Sequence, residues 1–341
     1  MQNISRENIS IILWLSTGCF LIFTMVIVGG ITRLTGSGLS MVDWKLLMGV
    51  IPPLNYQEWI EAFEQYKQYP EYQERNYMFG LAEFKKIFFW EYIHRMLGRF
   101  IGLVFIIPYI YFVIRKRFTK KLFLQSTILL FMGSLQGFLG WWMVKSGLVD
   151  RPDVSHFRLA VHLITAFLTF AYTFWIALTL VYPQKKQNNK LLYNITLGLF
   201  LVIVLQTIYG AFVAGLDAGK VYNTWPKMHE KWIAESVYAM TPIWKNFING
   251  LAGVQFIHRY LALIIILAVG FIYIKSKKLK LSRIEMNAIN TLAIIVLAQV
   301  ILGVFTLIYG VPIWLGIIHQ IGAFLLLGST VFALFLFKKT K

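Results

Sequence analysis

Four histidines sit in two nearly repeated settings. "IHR" at 93–95 returns at 257–259, and "VHLITAFL" at 161–168 returns as "IHQIGAFL" at 318–325, so His94, His162, His258 and His319 occupy matched positions. Neutral imidazole is the commonest metal ligand among side chains. Each of the four is followed four positions later by a small residue: Gly98, Ala166, Ala262 and Ala323. In a helix that position lies on the same face, so a small side chain there leaves room for a flat ring. A single histidine in an apolar helix serves equally well as a hydrogen-bonded packing residue. Four in matched settings read better as ligands. Ionisable groups inside membrane helices are functional by default, and side chains on facing helices are how four-helix bundles hold cofactors. Imidazole suits zinc, copper and iron. A tetrahedral zinc site wants further protein ligands, and none recurs with the His pairs. Two axial imidazoles beside a cleared face fit a haem.

Charged groups accompany these histidines unequally. "EYIHRMLGR" at 91–99 sets Glu91, Arg95 and Arg99 around His94, whereas "QFIHRYLA" at 255–262 sets Gln255 and Arg259 around His258. Glu91 and His94, at i and i+3, share a helix face. The plainest account of Glu91 is an ion pair with Arg95 one turn on; proton transfer or charge stabilisation is the other. Arg95, Arg99 and Arg259 lie near the outer ends of their helices. That position suits pairing with carboxylates such as haem propionates, and it equally suits snorkelling to the interface. His156 and His229 have no partner in the other half and are expected to be solvated loop residues.

The elements that carry these groups are membrane helices. Of 341 residues, 58% are hydrophobic and only 14% charged, too little charge to clothe a soluble domain of this size. Eight apolar runs lie near 11–30, 87–114, 122–144, 158–182, 192–214, 250–274, 285–308 and 312–337, each close to the roughly 20 residues needed to cross a bilayer. The fold expected is an all-α integral membrane protein with eight transmembrane helices. The net charge of +18 is concentrated in "RKRFTKK" (115–121), "QKKQNNK" (184–190), "KSKKLKLSR" (275–283) and "KKTK" (338–341), all on one side of the membrane. The positive-inside rule makes that side cytoplasmic, with both termini inside, and this placement argues against nucleic-acid binding. Each candidate histidine precedes the first cytoplasmic basic residue after it by 17 to 23 positions. At about 1.5 Å per residue all four then lie about 25–35 Å from the cytoplasmic boundary, toward the outer leaflet. Cys19 is the lone cysteine, so one chain can form no disulfide. The first run lacks a small-residue cleavage site and reads as a retained helix, which fits a bacterial inner (plasma) membrane.

The second half repeats the first. Gly29, Gly38 and Trp44 match Gly210, Gly219 and Trp225 at one constant offset, and "LQGFLG" (135–140) pairs with "AQVILG" (298–303), aligning Gln136 with Gln299 and Gly140 with Gly303. Four helices per half make the repeats parallel, two pseudo-symmetric four-helix bundles, unlike the inverted repeats of many transporters. The expected domains are 1–184, with a long external loop (about 31–86) bearing short surface helices, and 185–341, whose corresponding loop (about 215–249) is shorter.

With these residues set out, the sequence resembles the haem A synthase family over essentially its whole length. "GGITRLTGSGLSMVDW", "PEYQERN", "EFKKIFFWEYIHRMLGR" and "RLAVHL" carry the resemblance. It is similar to the form without a cysteine pair in the first external loop, as in the proteobacterial and mitochondrial branch. The resemblance implies an enzyme that oxidises a ring methyl of haem O to a formyl group, giving haem A for terminal oxidases. It further implies that His258 and His319 hold a resident haem b, that His94 and His162 lie at the substrate haem, and that Glu91 matches the catalytic acidic position. A carboxylate is costly in lipid but useful beside a reacting haem edge; Gln255 keeps its shape without a titratable group. Partners implied are haem O, membrane lipid, the upstream haem O synthase, oxidase assembly factors and an electron donor that the residues do not identify. The main alternative is a non-enzymatic di-haem b cytochrome passing electrons from quinol, which four histidines at one depth disfavour. A haem transporter or chaperone is a third reading and gives no reason for the Glu91/Gln255 difference.

Overall fold

A computed structural model describes residues 6–42, 50–148, 152–182 and 189–338. Trp44, most of the basic stretch 184–190 and Lys339, Thr340 and Lys341 lie outside the described residues. The chain is all-α. Nine α-helices are described: α1 (Arg6–Leu34), α2 (Tyr56–Tyr66), α3 (Leu81–Ile114), α4 (Lys120–Gly147), α5 (His156–Val181), α6 (Lys190–Gly215), α7 (Leu251–Ser276), α8 (Arg283–Ile308) and α9 (Ile313–Phe337). All except α2 are long and apolar enough to cross a membrane, so the protein is a multi-pass membrane protein. Large apolar side chains lie bare along their outer faces, among them Phe20, Leu103, Phe131, Leu201, Leu267 and Ile294. On a soluble protein such a surface would aggregate; against lipid it is the expected exterior.

Local chemistry sets where these helices begin. Thr119, Asn189 and Ser282 cap α4, α6 and α8, each side-chain oxygen accepting from the amide three residues on. Such caps satisfy donors that the first turn leaves unpaired. At Ser282 the cap is reciprocal, because Glu285 accepts from the Ser282 amide at 2.8 Å. Pro108 lies inside α3, tolerated as prolines are in membrane helices.

The described contacts divide the chain into two compact units, residues 21–165 in one and 1–20 with 166–341 in the other. In the first unit α3 packs on α4, and α2 lies across the start of α3. There Phe63, Tyr66, Phe84, Ile87 and Phe88 form a buried cluster, with the Tyr66 and Phe84 rings stacked at 5.2 Å and Trp59 edge-on to Phe88 at 5.0 Å. The surface helix expected in the long loop is therefore present, but it buries an aromatic face. In the second unit α6 packs on α7, α7 on α8, α8 on α9 and α9 back on α6, a closed four-helix bundle. The later part of α5 joins it through Phe167 and Phe170 against Phe324, and Trp175 against Phe335.

Candidate functional site

Each of the four candidate ligand histidines packs against a glycine of the preceding membrane helix. A Cβ on Gly29 would lie 3.3 Å from His94, on Gly140 3.5 Å from His162, on Gly210 3.3 Å from His258 and on Gly303 only 2.9 Å from His319. The repeated glycines are thus the floor on which each imidazole ring lies. Only a residue without a side chain allows so close an approach. Of the small residues one turn beyond each histidine, Gly98 serves a different contact, admitting Met25 Cε from α1.

In the second unit the His258 and His319 rings face one another with centroids 6.4 Å apart and planes at 78°. Two imidazoles approaching one metal ion from opposite sides at about 2.0–2.1 Å, each nitrogen about 1.1 Å from its ring centre, would place the centroids about 6.3 Å apart. The Nδ1 atoms of both rings are buried and have no hydrogen-bond partner, unusual for buried polar atoms. The spacing, the orphaned nitrogens and the glycine floors fit a pair of imidazoles that would hold one metal ion between them. Among the described residues no group of three or more His, Cys, Asp or Glu side chains is assembled. The helix carbonyls of both residues are braced by carboxamides, Gln206 donating to His258 O at 3.0 Å and Gln299 to His319 O at 2.8 Å. In the first unit His94 and His162 are electrostatic neighbours. Gln136, the counterpart of Gln299, donates to Thr165 Oγ1 at 2.6 Å, and that hydroxyl lies 3.1 Å from His162 O. The Gln136/Gln299 match in the sequence was the available signal for this bracing.

Glu91 is 3% exposed and surrounded by donors. Its Oε2 accepts from Ser40 Oγ at 2.7 Å and from the Met41 amide at 2.8 Å, while Oε1 accepts from Arg95 Nη2 at 2.5 Å. The same Arg95 nitrogen donates to Met41 O at 2.7 Å. The intrahelical ion pair is therefore present, within a larger lock on the glycine-rich loop. Gln255 holds the equivalent loop with the opposite polarity. Its Nε2 donates to Ala218 O at 2.8 Å, its Oε1 accepts from Arg259 Nη2 at 2.9 Å, and Arg259 donates to the carbonyls of Tyr222, Thr224 and Lys227. The offset that relates Gly38 to Gly219 also relates Met41 to Tyr222, so the two arginines grip the same loop position. Carboxylate meets N–H and O–H in one half; carboxamide meets C=O in the other. Part of the Glu/Gln difference is thus loop complementarity. Arg99 lies with Nη1 3.6 Å from Met96 Sδ.

His156 corrects the expectation of a solvated loop residue. It opens α5, is 8% exposed and lies against the Phe157 ring, because the helix begins earlier than the apolar run. His229 is exposed, as expected, its ring 4.8 Å from that of Tyr222. One buried acid had no distinguishing signal beyond the "PEYQERN" stretch. Glu71 accepts from Tyr66 Oη at 3.0 Å, Asn76 donates to the same oxygen at 2.8 Å, and burial pushes the Glu71 carboxyl up to about 8. Arg75 beside it forms a two-armed bridge to Asp153.

Membrane helices carrying matched histidines on glycine floors, with one carboxylate locked one turn before the first of them, define a polytopic membrane protein with a candidate cofactor site in its helices. Residues 12–331 match the family profile described as "Cytochrome oxidase assembly protein". The chain is 53% identical over 338 residues to the "Heme A synthase" of Flavobacterium psychrophilum, covering 98% of this chain and 100% of that one. It is 43% identical over 320 residues to the "Heme A synthase" of Nitrosospira multiformis, covering 93% and 90%. This chain belongs to the haem A synthase family.

Proposed function

We propose that the protein is a haem A synthase, an enzyme that takes haem O as substrate and oxidises one ring methyl to a formyl group. The observation that carries this reading is near-full-length identity to proteins bearing that name, joined to two histidine pairs seated on glycines. Nothing favours the di-haem cytochrome. In this reading the half 185–341 holds a resident haem b between His258 and His319, and the half 1–184 receives haem O beside His94 and His162. The resident haem would supply a one-electron redox centre. The chain's own residues do the rest. Gly210 and Gly303 set the ring positions of His258 and His319, and Gln206 and Gln299 fix the helix turns that carry them. Arg95, Arg99 and Arg259 supply positive charge for the carboxylates of bound haem. For Arg95 and Arg259 that charge is shared with the loops they hold.

Glu91 is the proposed catalytic acid–base residue, one helical turn from His94 on the same face. Arg95, the Met41 amide and Ser40 all donate to it, and donors of this kind hold a carboxylate in place. A fixed carboxylate can take or return a proton, or offset positive charge, beside a reacting methyl. The conversion of methyl to formyl adds one oxygen atom and is a four-electron oxidation, so it also draws on an oxygen source and a redox partner outside the chain. Extraction of the pigments from purified protein and their mass analysis tests the assignment. Haem O or its oxidised derivatives beside haem b is the expected result; haem b alone would return the reading to an electron-carrying cytochrome.

The orientation belongs to the same proposal. We place both termini and the basic loops in the cytoplasm of a bacterial inner membrane, with the loops near 31–86 and 215–249 on the far side, because the basic clusters gather on one side. Reporter fusions at Arg117 and Lys278 are expected to behave as cytoplasmic. A periplasmic signal from either would reverse the topology.

A further inference from the structure

The partners of Glu91 are not equivalent. An arginine and a peptide N–H can only donate, so Arg95 and Met41 serve the ionised carboxylate and offer nothing to the O–H of the neutral acid. A hydroxyl both donates and accepts. Ser40 is buried at 2% exposure, with Oγ 2.7 Å from Glu91 Oε2 and 3.0 Å from Ser37 O. It carries one proton and stands between two acceptors.

The repeat supplies an independent comparison. At the offset that relates Gly38 to Gly219, Ser37 corresponds to Ala218 and Ser40 to Val221. In the second half Gln255 Nε2 donates straight to Ala218 O at 2.8 Å, the counterpart of the very carbonyl that Ser40 faces. Where the side chain is an amide, it meets that carbonyl directly and no hydroxyl is present. Where the side chain is an acid, a hydroxyl is interposed. The replacement extends along the loop: Thr32, Thr35, Ser37 and Ser40 stand opposite Val213, Leu216, Ala218 and Val221.

We propose that Ser40 is a positioning residue that adapts the site to both protonation states of Glu91 by turning its hydroxyl between Glu91 Oε2 and Ser37 O. This rests on the reading of Glu91 as the acid–base residue. With Glu91 ionised, Ser40 donates to Oε2. When Glu91 gains a proton, the Ser40 O–H turns to Ser37 O and the Ser40 oxygen accepts the new acid O–H. No bond to Ser40 forms or breaks, and its proton stays on its own oxygen. Without the hydroxyl, the neutral acid would be buried with its donor unsatisfied and two further donors pressed against it, which is costly.

Ser40→Ala, Ser40→Thr and Glu91→Gln test this in the full-length protein loaded with its haem. Ser40→Ala is expected to bind haem O with unchanged affinity and KM while kcat falls, by no more than the about 10²–10⁴-fold of a positioned acid–base group. Ser40→Thr, which keeps the hydroxyl, is expected to restore kcat. Infrared spectra of the resting, acidified protein give a readout independent of turnover. The carboxyl band lost in Glu91→Gln is expected to shift, in Ser40→Ala, to the frequency of an acid that donates no hydrogen bond, and to return in Ser40→Thr. If Ser40→Ala fails to insert, Ser40→Cys keeps the volume with a weaker donor and is expected to give the same changes in smaller measure. An unmoved band, or wild-type kcat in the alanine or cysteine variant, would overturn the proposal. If Glu91→Gln is itself fully active, the reading of Glu91 has failed; if it is inactive while Ser40→Ala is unaltered, the failure belongs to Ser40 alone.

Discussion

Glu91→Gln is expected to leave haem O bound and haem b in place while haem A formation falls by about 10²–10⁴-fold, the usual contribution of a general acid–base group. Cells carrying it would accumulate haem O or a partly oxidised intermediate. The substitution nearly preserves shape, but the structure adds a condition. Ser40, Met41 and Arg95 all point donors at this side chain, and a carboxamide brings two donor hydrogens of its own. Its oxygen can satisfy one side, leaving the –NH2 against a donor on the other. Some destabilisation is therefore expected, of the about 1–3 kcal/mol that an unsatisfied buried group costs. Membrane content and haem b spectra must accordingly be measured beside haem A. Near-normal haem A from a stably inserted variant would reduce Glu91 to the structural partner of Arg95 and its loop.

The second large effect is expected at the His258–His319 pair. On the proposed assignment, alanine at either position is expected to remove or loosen haem b, with the protein still inserted, because one imidazole would remain to hold the group in place of two. Gly303→Ala probes the same site from behind: its Cβ would lie 2.9 Å from the His319 ring and must push it aside. Gly198→Ala on α6, whose Cβ meets nothing within 4 Å, is the matched control and is expected to leave the haem spectrum unchanged. Full low-spin haem b in both histidine variants would show that this cofactor does not belong to the C-terminal pair.

The membrane helices were legible because an apolar run about 20 residues long has few other uses. Their ends were less so. The run expected from Ile87 belongs to a helix that begins at Leu81, since Glu83, Lys85 and Lys86 are good helix formers outside the apolar stretch. The internal repeat pointed to the four histidines proposed as ligands. The glycine behind each ring was visible only as a repeated residue, because its use depends on a neighbouring helix. The environment of Glu91 was hidden for the same reason: Ser40 lies 51 positions away along the chain. Periodicity reports which face a residue takes, not which loop returns to meet it. Glu71 shows the limit from the other side. A stretch rich in Glu, Gln and Tyr reads as solvated surface, yet the aromatic face of α2 draws it under cover.

The opposed polarity of the two glycine-rich loops bears on how an internal duplication diverges. Once one copy presents donors to a buried carboxylate and the other presents carbonyls to a buried amide, neither side chain can be exchanged alone without leaving a buried group unsatisfied. Glutamate at Gln255 would set an anion against the carbonyls of Ala218 and Tyr222; glutamine at Glu91 would set an amide against N–H groups. Each intermediate on a path back to equal halves passes through an unsatisfied buried group, so reversal requires loop and helix to change together. The duplicate copies are held apart by a mutational ratchet, and grafting the Glu91–Arg95 motif of one half onto the other would require carrying its loop along.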